Sequence, residues 1–334
     1  MKTIGIFPAS GGLGESTYTH LLRLVPADTV ILISRHPDKI PREHVQAGVQ
    51  TRQADYTQSS SELEAAFAGD RCPLPDLISK PSARASDQGI SHNHLSARSA
   101  FANDPSGHPS TTSVAEVMGA HLDSEAHLAS LAASSSSSPK FTYTVIREGL
   151  YAESTPIYTA FFNPRTSSKD CNEILIPHDG GGRGVSWVKR DELGEATARI
   201  IARFVSGPEG FAARGWVNGR VVLTGTREWT LGETVKVLGE VAGRSGEGGV
   251  KIREVGVDEY VRQPQVLGVF GREELARTWA TAFEAVKKGE TGAVTGDLEA
   301  ILGRRPEEFD VTVKEYWEGI AIYGSSPNQS PRTR

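Results

Sequence analysis

The chain has 334 residues, 38% of them hydrophobic, with 36 basic residues against 41 acidic ones and a formal net charge of −5. That is enough to bury a large core in one large domain or two unequal ones, and the mildly acidic balance argues against the strong positive field of a nucleic-acid binder. Two cysteines, Cys72 and Cys171, provide neither a disulfide framework nor a Cys-rich metal site; with no secretory signal and no apolar run of roughly 18 residues to span a membrane, a cytoplasmic protein is expected.

The chain opens on a β-prone run at 3–7, a turn at 8–14, a helical pattern through Leu21, Leu22 and Val25, and a second strand at 29–34 that ends against Arg35. Strand, glycine-rich turn, helix and strand make the first unit of a dinucleotide-binding sheet, where unpaired N–H groups at the helix start hold a pyrophosphate. The cradle is Ser10, Gly11, Gly12, Leu13 and Gly14; Pro8 stands where a first glycine is usual and has no N–H to offer. The plainer reading is a strand-to-helix turn with no ligand. Arg35 decides the cofactor, because a carboxylate there would accept ribose hydroxyls whereas an arginine pairs with the 2′-phosphate of NADP(H). Lys39, four residues on, adds a second positive charge; the alternative is a solvated charged loop.

A third strand is expected at 49–53 and a helix at 61–68. Between them, Asp55 and Tyr56 fall at the carboxyl end of the strand, where open α/β sheets bind ligands. Asp55 is placed to contact the adenine amino group and Tyr56 to flank the ring; equally, Asp55 could cap the next helix with Ser59 to Ser61.

Residues 71–99 break the pattern. A doubly wound sheet needs a fourth strand, a crossover helix and a fifth strand here, but the segment is rich in Pro, Ser, Arg and His, with 76–79 the one remnant of a strand. It is either a natural surface insertion or core sequence replaced through a gene-model error. The second reading is preferred, and on it the segment is irregular and the sheet is short of two strands, because nothing else in the chain offers the missing pair.

Further on, a helix is expected at 113–133, a flexible serine loop at 134–138, and buried strands at 141–147 and 174–176. The glycines at 180–184 suit a hairpin or cleft loop. Strands at 221–224 and 250–255 and amphipathic helices at 231–241 and 272–286 complete a partly helical lid. The expected organisation is a doubly wound Rossmann domain over 1–150 and a smaller C-terminal α/β substrate region over 151–330, partly interleaved with the first.

The turn Ala9 to Gly14, the stretch Ser34 to Lys39, Ala54-Asp55-Tyr56, the run Phe141 to Tyr151 and the late Gly303-Arg304-Arg305-Pro306 together resemble the NmrA-like atypical short-chain dehydrogenases, fungal members most of all. The resemblance covers residues 1–70 and 100–320. It implies a Rossmann domain, a small C-terminal α/β domain and a substrate cleft between them. It also implies one of two functions, since some members are NADPH-dependent quinone or dye reductases and others bind NADP only as regulators.

The chemistry is less legible than the cofactor. Short-chain dehydrogenases commonly use a Tyr with a Lys four residues later as proton donor, and no Tyr-x-x-x-Lys occurs in the helix expected at 113–133. Two candidates remain. His121 lies where relatives often carry a lysine and is a residue type able to donate a proton, and Tyr151, just after a strand, is placed to stack on a planar substrate or donate a proton. Both also have ordinary packing readings. Hydrolase and zinc-protease motifs are missing, and His92-Asn93-His94 is poor evidence for a metal. An NADPH-dependent reductase of quinones or similar planar molecules is therefore weighed against a non-catalytic NADP(H) sensor that would report to a regulatory protein partner. No direct contact with nucleic acid or membrane is expected in either case.

Overall fold

The computed structural model describes residues 3–67, 73–75, 93–97, 103–104, 108–134, 141–167, 172–207 and 211–319. Strands β1 (Ile4–Phe7), β2 (Val30–Ser34), β3 (Gln50–Gln53) and β4 (Pro73–Pro75) form a parallel sheet in the order β3-β2-β1-β4. A second parallel sheet runs β5 (Asn93–Ala97), β6 (Thr142–Glu148), β8 (Gly219–Leu223). β4 and β5 lie side by side, so β1 is flanked by β2 on one side and by the later strands on the other, the layout of a doubly wound fold.

Alternation along the strands sets the layers. Ile4 and Ile6 of β1, Val30 and Leu32 of β2 and Ile146 of β6 share one core with Leu13 and Leu21 of α1 (Gly12–Leu21) and Leu193, Ile200 and Ile201 of α6 (Arg190–Ser206). The intervening residues face the other way: Phe7, Ile31 and Ile33 meet α3 (Ser60–Phe67), while Tyr143 and Val145 meet Leu128 of α4 (Gly119–Ser134). With both faces covered, β1 and β2 read as continuous apolar runs. Of the remaining early helices, α2 is Arg42–Gln46 and α5 is Thr155–Tyr158.

The expectation of a sheet short of two strands is corrected. The fourth and fifth strands are present as β4 and β5, in register with Gly5 to Phe7 and with Thr142 to Ile146. They escaped a reading based on apolar runs because ladder pairing uses backbone groups, which even a Pro-Leu-Pro tripeptide partly supplies. Alternate residues of a strand bond to opposite neighbours, so Pro73 and Pro75 remove the donors from one edge, and among the described residues β4 and β5 belong to separate sheets. The strand remnant expected at 76–79 and most of the irregular segment fall outside the described residues.

A second core lies around a two-stranded parallel sheet of β7 (Glu173–Ile176) and β9 (Lys251–Glu254). Helices α7 (Leu231–Val241), α8 (Val257–Val261), α9 (Pro264–Phe270), α10 (Glu273–Lys287) and α12 (Phe309–Glu318) surround it. Trp187 is its centre, stacked on Phe309 at 5.6 Å, edge-on to Tyr158 at 5.5 Å, and donating its indole N–H to Thr234 Oγ1 at 3.0 Å. α6, β8 and α11 (Asp297–Leu302) belong instead to the first core or its sheet, so the chain crosses between the two cores more than once. No helix among the described residues is long and apolar enough to cross a membrane.

Candidate dinucleotide site

The turn after β1 has the backbone that close approach to an anion requires. Gly11, the N-cap of α1, takes φ +95°, a conformation that L side chains rarely adopt, and no side chain caps the helix. The first bond into the turn is Glu15 N to Gly11 O at 2.9 Å, so the N–H groups of Gly12, Leu13 and Gly14 precede the helical ladder. Gly14 does different work, because a Cβ there would stand 2.1 Å from the carbonyl oxygen of Pro8. It lets α1 pack against the end of β1. A cradle of this shape fits a dinucleotide pyrophosphate; a side chain at 11 or 14 would strain or fill it.

At the end of β2, Arg35 has its side chain 64% exposed, with Nε 3.8 Å from Asp55 Oδ2. Asp55 is held by its other oxygen, which accepts from Thr57 N at 2.9 Å and Thr57 Oγ1 at 3.0 Å. The Thr57 bonds, with the charges of Arg35 and His36, hold its carboxyl below the usual range. Asp55 does not cap α3. Ser59 and Glu62 do so reciprocally, with Ser59 N donating to Glu62 Oε2 at 2.9 Å and Glu62 N to Ser59 Oγ at 3.4 Å. Tyr56 leans on Phe7 with ring centroids 4.6 Å apart, which sets an aromatic ring beside the end of β1. Lys39 closes a short 3₁₀ turn and is exposed. Arg35, Asp55, Tyr56 and the glycine turn thus gather at the carboxyl ends of β1, β2 and β3.

Tyr151 follows β6 and is fixed at both ends. Leu150 O and Ala152 N bond to Val188 N and O at 2.9 and 2.8 Å, and the Tyr151 hydroxyl donates to Glu148 Oε2 at 2.8 Å. Glu148, the last residue of β6, is buried. Sequence reasoning passed over it, although a carboxylate ending an apolar strand was the signal available. His121 is half-buried in the first turn of α4, one turn before Glu125. Glu125 grips Arg147, near the end of β6, with Arg147 Nε to Oε1 at 2.9 Å and Nη2 to Oε2 at 2.7 Å, so the start of α4 stands beside the carboxyl end of β6.

A line of contacts joins Tyr151 to the turn. Two residues on, the buried carboxylate of Glu153 accepts from Arg190 N at 3.2 and 3.3 Å, and the Arg190 side chain lies over Gly12. Burial pushes the Glu153 carboxyl up, against the pull of the Arg190 and Lys189 charges. Lys189 bonds Glu307 at 2.8 Å and Glu315 at 3.3 Å, and Arg304 pairs with Glu192 and, at 2.7 Å, with Glu195. These pairs tie the start of α6 to the chain around α12.

No protein-family model matches the chain. It is 26% identical over 310 residues, 89% of each chain, to the NmrA-like family domain-containing oxidoreductase flvB of Aspergillus flavus. Solved structures similar over 94% of this chain and 99% of their own include the NADPH-dependent quinone oxidoreductase of Escherichia coli complexed with NADPH, with a TM-score of 0.68 and 20% identity. Another, at the same coverage, is the triphenylmethane reductase of Citrobacter sp. complexed with NADP(H), with a TM-score of 0.67 and 25% identity. The resemblance read from the motifs therefore extends along most of the chain: it is similar to an NmrA-like oxidoreductase over 310 residues, and it has a Rossmann-type fold.

Proposed function

We propose that the protein binds NADP(H) and acts as an NADPH-dependent reductase of quinones or similar planar, electron-poor molecules, working in the cytoplasm. The observation that carries the reading is Arg35, an exposed guanidinium at the end of β2 beside a glycine turn whose N–H groups open a helix. The similarity to reductases complexed with NADPH and NADP(H) supports it.

Ser10 to Gly14 would hold the pyrophosphate, Arg35 with Lys39 the 2′-phosphate, and Asp55 and Tyr56 the adenine. Bound NADPH supplies a hydride, and reduction of a quinone to a hydroquinone consumes one further proton. Tyr151 is the better of the two proton-donor candidates, since Glu148 holds its hydroxyl in one orientation and its contacts lead to the turn. His121 is the second. Quinone reduction needs orientation more than a fixed carbonyl geometry, which fits a chain without Tyr-x-x-x-Lys.

The test is NADPH oxidation by the purified protein against a quinone panel, with a triphenylmethane dye as a further acceptor. Turnover with at least one planar acceptor is expected. Tight NADPH binding with no oxidation by any acceptor would overturn the reductase reading in favour of a cofactor sensor acting on a protein partner.

A further inference from the structure

We propose that Arg190 is a pyrophosphate-binding residue of the dinucleotide site, brought to the glycine turn from the far half of the chain. The inference rests on the reading of that turn as an NADP(H) site.

Helices α1 and α6 run side by side with their N-termini together. Asp191 Oδ1 accepts from Ser16 Oγ at 2.6 Å and stands 3.1 Å from His20 Nε2, and a Cβ on Gly194 would lie 2.1 Å from Ser16 Oγ. With Gly194 seated on Ser16, the first residue of α6 falls level with the first residue of α1. A Cβ on Gly12 would meet Arg190 Cζ at 2.5 Å, Nε at 2.6 Å and Nη1 at 2.7 Å. The guanidinium therefore lies against the Gly12 backbone, at the edge of the N–H groups that open α1.

The local charge explains why a cation is needed. A pyrophosphate brings two negative charges, the turn from Pro8 to Gly14 has no basic side chain, and Glu15 adds a carboxylate in the first turn of α1. Pro8 also lacks the N–H that a residue there could give. A planar guanidinium is the group best matched to phosphate oxygens. Glu153 sets its place, since the carboxylate holds the Arg190 N–H and its charge acts on the side chain. Gly12 is then required because any side chain would displace the guanidinium.

The test measures dissociation constants of NADPH, NADH and 2′-AMP for the wild type, Arg190→Gln and Arg190→Lys. 2′-AMP keeps the phosphate read by Arg35 and has no pyrophosphate. Arg190→Gln is expected to weaken NADPH and NADH by the same factor, about 10- to 100-fold, and to leave 2′-AMP binding unchanged, with Arg190→Lys intermediate. Unchanged NADPH affinity in Arg190→Gln would overturn the assignment. So would an equal loss of 2′-AMP, which marks damage to the fold, or an Arg190→Lys protein as tight as wild type or no better than Arg190→Gln. Failure of the wild type to bind either dinucleotide would refute the parent reading itself, and the assignment with it.

Discussion

Gly14 sits against the carbonyl of Pro8 so closely that a Cβ would lie 2.1 Å from the oxygen. The contact is backbone to backbone, so neither side can yield by turning a rotamer. Gly14→Ala is expected to destabilise the protein by about 1–3 kcal/mol through overpacking, and to weaken NADPH by moving the start of α1. Thermal unfolding and NADPH fluorescence check the two effects. An alanine variant as stable as wild type would show that the turn is looser than described.

The buried pair behind β6 makes a second expectation. Arg147 is fully buried and binds Glu125 with two bonds, while Glu125 also accepts from Arg220 Nε at 2.8 Å. Glu125→Leu removes the carboxylate that faces Arg147, whose Nη2 still donates to Ser110 O, and should cost about 3–5 kcal/mol, whereas adding Arg147→Met should restore most of that loss. Urea unfolding of the two single variants and the double variant measures it; additive losses would contradict a coupled pair.

Glu125 also sets a pH dependence. Burial alone would raise its carboxyl, but the bonds and charges of Arg147 and Arg220 outweigh this and hold it below the ordinary value of 4.5. Its folded-state pKa is thus lower than in the unfolded chain, so its contribution is complete above pH 4.5 and fades as pH falls through the folded value. The stability gap between wild type and Glu125→Gln should shrink on acidification below that point, as urea unfolding at stepped pH would report. A gap that is constant or widens would reverse the sign.

Tyr151→Phe removes the hydroxyl held by Glu148 and keeps the ring. If the hydroxyl delivers a proton, kcat with the best quinone should fall by about 100-fold while the NADPH dissociation constant stays put. His121→Gln should change kcat much less. Stopped-flow single turnovers separate the two variants, and the opposite ranking would make His121 the donor.

β1, α1 and β2 were legible because two continuous apolar runs, a glycine turn and a helix start coincide within 35 residues, each fixed by local chemistry. Helix α7 was read at its observed ends from its amphipathic run, and the structure adds the capping box of Thr230 and Glu233 that starts it. The fourth and fifth strands were illegible, since Pro73-Leu74-Pro75 and Asn93 to Ala97 carry none of the Val and Ile that mark a buried strand. In the proposed site, Arg35 was legible from its place after β2. Arg190 was not, because only the packing of α6 on α1 brings it to Gly12, and no local pattern encodes that meeting.

The proposed NADP(H) site of the glycine turn and Arg35 is tested most directly by calorimetric titration of NADPH and NADH into the wild type and Arg35→Asp. The wild type should prefer NADPH, and Arg35→Asp should weaken NADPH far more than NADH, by about 10- to 100-fold, as expected for a lost charged contact to phosphate. Equal losses for the two dinucleotides, or a wild type that does not distinguish them, would contradict it.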